Sequence, residues 1–126
     1  GVYPVTQAQW KAVMGTNSSE FKGPNRPAER VSCDDAQEFC TKLNALRLGA
    51  IVRLPTEAEW EYSCRAGTTT HYHFGGVLNT DLANYYGWQS WNGSPEGTFR
   101  EETTEVATFA PNGWALHDVH GNVWEW

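Results

Sequence analysis

The chain has 126 residues, which is the length of a single domain, and we expect one domain covering residues 1–126. Its net charge is −6 at pH 7. Its nine basic residues are scattered singly, so the sequence offers no basic patch for nucleic acid or an anionic membrane. We find no apolar run of membrane-spanning length and no signal-peptide pattern, which favours a cytoplasmic location. Seven Trp and twelve Gly indicate a loop-rich fold held together by large aromatic side chains.

Two helices are predicted in the first part of the chain, and each begins at a capping residue. Thr6 and Gln9 form a capping box, and Gly15 ends the helix that follows them. Ser32 caps a second helix, in which apolar residues recur at helical spacing until Gly49 closes it. The residues between the two helices form an irregular connector interrupted by prolines.

The stretch 53–67 predicts a third, central helix. Thr56 and Glu59 form its capping box, and a glycine supplies its left-handed end. Trp60 and Cys64 lie one turn apart on a wide apolar surface, so we expect the helix to be mostly buried. Short strands are predicted at 50–54, 70–74 and 105–109.

Residues whose oxygen atoms could bind a metal ion lie close together in the sequence, near the end of the chain. Asp118 and Glu125 flank Gly121, which permits a sharp turn, so the two carboxylates and the carbonyls between them could converge on a hard cation such as calcium. The alternative is a plain turn followed by a strand with Glu125 exposed, because this spacing is not a known loop signature by itself.

Two runs of sequence resemble a known family. RLPTEAEWEYSCRAG at 53–67 and GNVWEW at 121–126 are similar to the sulfatase-modifying-factor family, whose founding member is formylglycine-generating enzyme, and the likeness extends from about Tyr3 to Trp126. The resemblance implies an irregular, loop-rich α+β fold related to C-type lectins, with about three short helices and short strands. Family enzymes oxidise a sulfatase cysteine to formylglycine with molecular oxygen and a copper ion held by two cysteines.

The resemblance also implies a structural calcium site at the oxygen-rich segment. Its ligands are the side chains of Asp118 and Glu125 and the carbonyls of Gly121 and Val123. A second family calcium site would begin at Asn84 and Tyr85. Its remaining ligands fall at 98–100, where this sequence has no acid.

The three cysteines, Cys33, Cys40 and Cys64, are an odd number, so we expect free thiols or a pairing outside the chain. Cys40 and Cys64 lie on apolar helix faces, where burial raises the thiol pKa and disfavours a nucleophile. In the family the copper-binding cysteines follow GNVWEW and a first strand precedes Pro4, so the chain resembles a domain truncated at both ends, in which copper is not expected. Unpaired sheet edges would then favour a homodimer or a swapped dimer.

Two further clusters are weaker candidates. His71 and His73 would share one face of a strand, but two ligands do not make a transition-metal site, and a polar rim is the alternative. Trp88 and Trp91 could line a groove for a peptide or sugar, with core packing as the alternative.

Together these features predict a non-catalytic, calcium-stabilised binding or scaffold module with a peptide or protein ligand. The alternative is part of an active copper-dependent oxidase that a longer chain or a partner completes.

Overall fold

The computed structural model describes residues 1–88 and 93–126 and contains three helices joined by irregular segments. The helices are α1 (Gln7–Met14), α2 (Cys33–Ala45) and α3 (Glu57–Arg65), which confirms the three predicted helices. None of the described helices combines the length and apolar character needed to cross a membrane.

All three helices begin with a reciprocal capping box. Each box joins a hydroxyl to a side chain three residues on: Thr6 to Gln9, Ser32 to Asp35 and Thr56 to Glu59. At α3 the Glu59 N–H donates to the Thr56 hydroxyl over 3.3 Å, and the Thr56 N–H donates back to the Glu59 carboxylate over 2.8 Å. The two predicted boxes are confirmed, and Asp35 completes a third at Ser32, where the sequence predicted a capping residue alone.

The second helix ends earlier than predicted, at Ala45 rather than near Gly49. Arg47 has a left-handed backbone with φ of 51°, which stops helical propagation. The Asn44 side chain then pairs with both backbone groups of Val52, donating to its carbonyl and accepting from its N–H, each over 2.8 Å. This pairing draws the following segment back along α2.

The predicted strands at 50–54, 70–74 and 105–109 are not formed. In the described ranges the ladder-type pairings are two isolated bridges, Thr6 with Pro27 and Tyr72 with Gly75. A strand needs a neighbouring strand in register, and here the backbone groups bond to side chains instead. Ala107, for example, donates its N–H to the Asp118 carboxylate over 2.8 Å.

The hydrophobic core joins α1 and α2. The rings of Trp10 and Phe39 stack with centroids 5.1 Å apart and planes 2° from parallel, and both residues are buried. The irregular connector at 16–31 is anchored by Gln7, which is only 2% exposed. Its amide donates to the carbonyls of Phe21 and Pro27 over 2.7 and 3.2 Å, so a side chain organises this loop.

The prediction that α3 is mostly buried is wrong. Cys64 is its only buried residue, whereas Trp60 and Tyr62 are 37% and 66% exposed. The helix meets the irregular half of the chain through individual contacts, such as that of the Tyr62 and Trp114 rings. Asn112 adds another by donating to the carbonyls of Ser63 and Cys64 over 2.8 and 3.2 Å.

Candidate functional site

A cavity of about 830 Å³ lies between the start of α3 and the last residues of the chain. Its wall carries five aromatic side chains, those of Trp60, Tyr85, Tyr86, Trp124 and Trp126. It also carries three acidic side chains, those of Glu57, Asp118 and Glu125, and no lysine or arginine of the described residues lines it. The cavity is therefore aromatic and negatively charged, as expected for a site that receives a cation or a basic group.

This cavity collects every residue for which a calcium ligand was predicted. The six residues are Asn84, Tyr85, Asp118, Gly121, Val123 and Glu125. No group of three or more carboxylate, imidazole or thiol side chains in the described part of the chain is placed to bind a metal ion. A cation here would therefore need backbone carbonyls as well as carboxylates, which is the kind of ligand set that calcium accepts.

Asp118 is the buried acid of the cavity, at 9% exposure. One carboxylate oxygen accepts the Ala107 N–H over 2.8 Å, and the other is buried with no hydrogen-bond partner. Burial raises the pKa of Asp118, and the Ala107 hydrogen bond and the nearby His117 oppose that rise. A buried carboxylate oxygen without a partner is costly, and a bound cation would remove this cost.

Glu125 is a second acid of the cavity wall and is contacted by α3. The Trp60 indole N–H donates to its carboxylate, across 65 positions of sequence. Glu125 is an exposed residue, as the alternative of a plain turn expected, but desolvation by the surrounding protein raises the pKa of its carboxyl. The Trp60 hydrogen bond opposes that rise, and the charge of Asp118 adds to it. The contact between Trp60 and Glu125 was not predicted, because no local pattern links α3 to the end of the chain.

The turn between the two acids packs directly on Asn84. A Cβ added to Gly121 would lie 2.3 Å from the Asn84 carbonyl oxygen, so only glycine fits this approach. The next residue, Asn122, donates its N–H to the same carbonyl over 2.8 Å. The sharp turn that was predicted from Gly121 is therefore explained by a close backbone contact.

The segment expected to complete a second calcium site makes other contacts. Thr98 donates its N–H to the Thr80 hydroxyl over 3.1 Å, and the Arg100 guanidinium donates to the Thr80 carbonyl over 2.8 Å. Arg100 also lies 5.3 Å from the centre of the Phe109 ring. Neither Thr98 nor Arg100 lines the cavity that contains Asn84.

Cys64 contacts His120, a histidine that was not predicted as a site residue. Its sulfur lies 3.5 Å from Nδ1 of His120 and donates to the Val119 carbonyl over 3.4 Å. The His73 N–H donates to Nε2 of His120 over 3.1 Å, so the neutral imidazole carries its proton on Nδ1, facing the sulfur.

This geometry disfavours a Cys–His nucleophile, as the sequence predicted. Burial, and then the charge of His73, lower the pKa of His120 to about 4. Burial is also the main cause of the raised pKa of the Cys64 thiol, to which Glu125 adds. The imidazole therefore has no free nitrogen to accept the thiol proton, and the thiol keeps that proton near neutral pH.

The two other thiols lie on α2. Desolvation raises the pKa of Cys40, in agreement with its predicted position on an apolar helix face. All three cysteines, Cys33, Cys40 and Cys64, are free thiols.

The histidines at 71 and 73 do not form a pair. His71 is exposed, whereas the ring of His73 stacks on His120 with centroids 4.9 Å apart. The structure therefore places His73 in an aromatic cluster rather than on a polar rim.

Trp88 lies beside the cavity and not within it. Its ring contacts Tyr86 and Phe99 edge to face, with centroids 6.0 and 5.2 Å away, and it is 57% exposed. Core packing is therefore not its role, and Tyr86 connects it to the cavity wall. Trp91, the other predicted groove residue, lies outside the described residues.

The fold and site define a loop-rich domain with a negatively charged aromatic cavity, and comparison with known proteins identifies its family. The model of the sulfatase-modifying factor enzyme 1-like domain matches residues 2–126. The chain therefore belongs to this family, as the sequence resemblance predicted.

Curated relatives include proteins named as enzymes and proteins named as inactive. The chain is 39% identical over 129 residues to the formylglycine-generating enzyme of Mus musculus, covering 98% of this chain and 32% of that protein. It is 32% identical over 130 residues to the inactive C-alpha-formylglycine-generating enzyme 2 of Bos taurus, covering 98% of this chain and 39% of that protein. The chain thus spans less than half the length of each of these two relatives.

A solved structure supports the formylglycine-generating-enzyme fold. Treponema denticola variable protein 1 is similar with a TM-score of 0.76 and 28% sequence identity, covering 98% of this chain and 59% of that one. The helices and their order are therefore those of a known fold, although the described residues contain little of the strand structure that was predicted.

Proposed function

We propose that these 126 residues form a calcium-stabilised binding or scaffold module of a formylglycine-generating-enzyme-like domain, and that they carry out no cysteine oxidation by themselves. The observation that supports the proposal is the buried oxygen of Asp118 without a hydrogen-bond partner, in a residue that lines the same cavity as the five other candidate calcium ligands. We also propose, from the family resemblance, that the fold is related to that of C-type lectins.

The residues present fit a calcium ion at the turn between the two acids. Asp118 and Glu125 would supply charged oxygens, and Gly121 and Val123 would supply carbonyls. Calcium bound there would neutralise the two carboxylates and hold the turn against the rest of the cavity wall. In the segment expected to complete the second family site, Arg100 carries a positive charge and bonds to the Thr80 carbonyl, so we propose one calcium ion per chain.

The arrangement of the thiols supports the absence of oxidation by these residues alone. A copper–dithiolate centre requires two thiolates at one ion. Cys33 and Cys40 lie two turns apart on α2, and Cys64 is occupied by Val119 and His120. The raised pKa values of Cys40 and Cys64 keep both thiols protonated near neutral pH.

The cavity also supports a peptide or protein ligand. Five aromatic residues line a space of about 830 Å³, which lies within the usual range for a ligand site. Trp88 extends this aromatic surface outward through Tyr86. Glu57 is the acid of the cavity wall that is not a candidate calcium ligand, and its charge favours a ligand with a basic group.

Calcium binding is tested by thermal unfolding in 1 mM calcium chloride and in EDTA. A ligand at about 100 times its dissociation constant stabilises the folded state by about 2.7 kcal/mol, so we expect a rise in melting temperature of several degrees. Asp118→Ala should abolish this rise, and Asp81→Ala, which changes an exposed acid outside the cavity, should retain it. Equal melting temperatures of the unmutated protein in both buffers would refute the calcium proposal.

The alternative function is that of one part of a copper-dependent oxidase, and the 39% identity to a protein named formylglycine-generating enzyme favours it. The purified chain is incubated with copper(I), oxygen and a Cys-x-Pro-x-Arg peptide, and the peptide is followed by mass spectrometry. We expect an unchanged mass. Conversion of the cysteine to the aldehyde would overturn the non-catalytic proposal.

A further inference from the structure

Asn122 lies at the centre of the cavity turn but was not predicted as a site residue. Its backbone is left-handed, with φ of 70°, a conformation that asparagine tolerates better than most residues. The side-chain oxygen accepts the Thr104 N–H over 2.8 Å and an Asn84 amide hydrogen over 3.2 Å. The side-chain nitrogen donates to the Thr104 carbonyl over 3.1 Å.

These bonds connect three distant segments at one point. Asn122 holds the backbone of Thr104 and the side chain of Asn84, and the Asn122 N–H also bonds to the Asn84 carbonyl. Three positions beyond Thr104, Ala107 bonds to the Asp118 carboxylate. The turn that carries the two acids is thus attached to the 104–107 segment at two points, Asp118 and Asn122.

Asn44 uses the same type of contact elsewhere in the chain. It pairs with the N–H and the carbonyl of Val52 as Asn122 pairs with those of Thr104. Asn44 lies on α2 and does not line the cavity. The molecule therefore contains a matched internal control, in which an equivalent amide-to-backbone pair has no connection to the candidate cation site.

We infer that Asn122 is the positioning residue of the cation site: it binds no cation itself and sets the orientation of the carbonyls and carboxylate that do. This inference rests on the calcium site proposed above. The residues on both sides of Asn122 would supply carbonyl ligands. The Gly121 carbonyl accepts the Val123 N–H over 2.9 Å across Asn122, and the positive φ and side-chain bonds of Asn122 hold the turn in which both carbonyls lie. Groups that orient metal ligands typically change metal affinity by about 10- to 100-fold when they are removed.

The test compares Asn122→Gly with Asn44→Ala by calcium titration calorimetry of the purified protein. Glycine at position 122 keeps the left-handed backbone and removes only the side-chain amide. Alanine at position 44 keeps the helical backbone and also removes only the side-chain amide. We expect the calcium dissociation constant to rise about 10- to 100-fold in Asn122→Gly and to stay unchanged in Asn44→Ala. Circular dichroism confirms that both variants are folded at the titration temperature.

If Asn122→Gly does not fold, the pair Asn122→Asp and Asn44→Asp replaces it. Each aspartate keeps the oxygen acceptor and loses the donor to the opposing carbonyl. Extra negative charge at position 122 would by itself strengthen cation binding, so weaker binding in Asn122→Asp would report lost positioning.

The possible outcomes distinguish a failure of the Asn122 inference from a failure of the calcium proposal on which it rests. If calorimetry detects no heat of calcium binding to the unmutated protein, the calcium site and the inference are both refuted. Calcium binding by the unmutated protein with an unchanged dissociation constant in the folded Asn122 variant would refute the positioning role alone. Equal weakening in the Asn122 and Asn44 variants would also refute it, because general destabilisation would then explain both.

Discussion

The two halves of the molecule are stabilised by different kinds of contact. Residues 1–66 contain all three helices, and each helix begins with a capping box formed within four consecutive residues. The described residues beyond 66 contain no helix and one isolated bridge, and are held by buried asparagine and aspartate side chains that bond to distant backbone. Regular structure satisfies backbone groups locally, whereas several backbone groups of the irregular half depend on one particular polar side chain. The second half should therefore be more sensitive to single polar substitutions.

The largest expected effect is at Asn112, which joins the two halves. It is 4% exposed, donates to the carbonyls at the end of α3 and accepts the N–H groups of Trp114 and Leu116 over 2.9 and 3.1 Å. Asn112→Ala should lower the free energy of unfolding by about 4 kcal/mol, because buried backbone groups lose their partners. Asn79→Ala, which removes one exposed local bond to Asp81, should cost less than about 0.5 kcal/mol. Urea unfolding measures both variants, and similar values would contradict the comparison.

Gly121→Ala should be the next most damaging substitution. The added methyl group would lie 2.3 Å from the Asn84 carbonyl oxygen, and backbone must move to relieve this overlap. We expect a loss of about 3 kcal/mol, as in overpacked cores. Gly113→Ala is the matched control, because its nearest neighbouring atom would be 3.7 Å away. Chemical denaturation should show little change for Gly113→Ala, and an equal loss at both glycines would show that the close approach is unimportant.

Acid should weaken the irregular half at a higher pH than it weakens α3. The pKa of His120 is about 4 in the folded protein against 6.5 for an ordinary histidine, so the unfolded state binds more protons. The stability that neutral His120 contributes is complete above about pH 6.5 and is lost as the pH falls toward 4, a change of about 3 kcal/mol. Glu59 behaves differently because its pKa is lowered to about 2 by Arg53 and by the Thr56 N–H, so its contribution is lost only between about pH 4.5 and 2.

Stability measured by urea unfolding between pH 7 and 3 tests this order. In His120→Phe the loss between pH 6.5 and 4 should become smaller, and in Glu59→Gln it should remain. An unchanged pH profile for His120→Phe would show that this histidine is not the titrating group.

The smallest expected effect is the loss of one capping hydroxyl. Thr56→Ala removes the acceptor for the Glu59 N–H at the start of α3 and should cost about 1 kcal/mol. Thr41→Ala, which changes an exposed hydroxyl within α2 that bonds only to the Gln37 carbonyl, should change stability by less than about 0.5 kcal/mol. Thermal unfolding distinguishes the two, and a Thr56 effect as large as that of Asn112 would contradict the difference between the halves.

Much of the helical part was predictable because its signals are local. Thr6 and Thr56 each indicated a helix start, and the structure places both starts there. The end of α2 was predicted too late, because the pairing of Asn44 with Val52 is invisible to helical periodicity. The burial of α3 was predicted wrongly for a similar reason: an apolar face shows that a helix can pack, but not how much surface the rest of the chain provides for it.

The candidate site was predictable only as a set of residues. The resemblance indicated Asp118, Gly121, Val123 and Glu125, and the structure brings these residues to one cavity with Asn84 and Tyr85. The contact of Trp60 with Glu125 and the bonds of Asn122 had no sequence signal. They join residues that are 65 and 18 positions apart, and no periodic pattern relates positions at such separations.

The sequence by itself determined the family, the three helix starts and the glycine at the turn, because each depends on residues that are neighbours in the chain. Only the tertiary structure decided that the strand-like segments stay unpaired, that Cys64 faces a neutral His120, and that the acids share one aromatic cavity. The physical reason is the same in each case: a backbone group or a buried charge takes whichever partner the folded chain brings within hydrogen-bond distance.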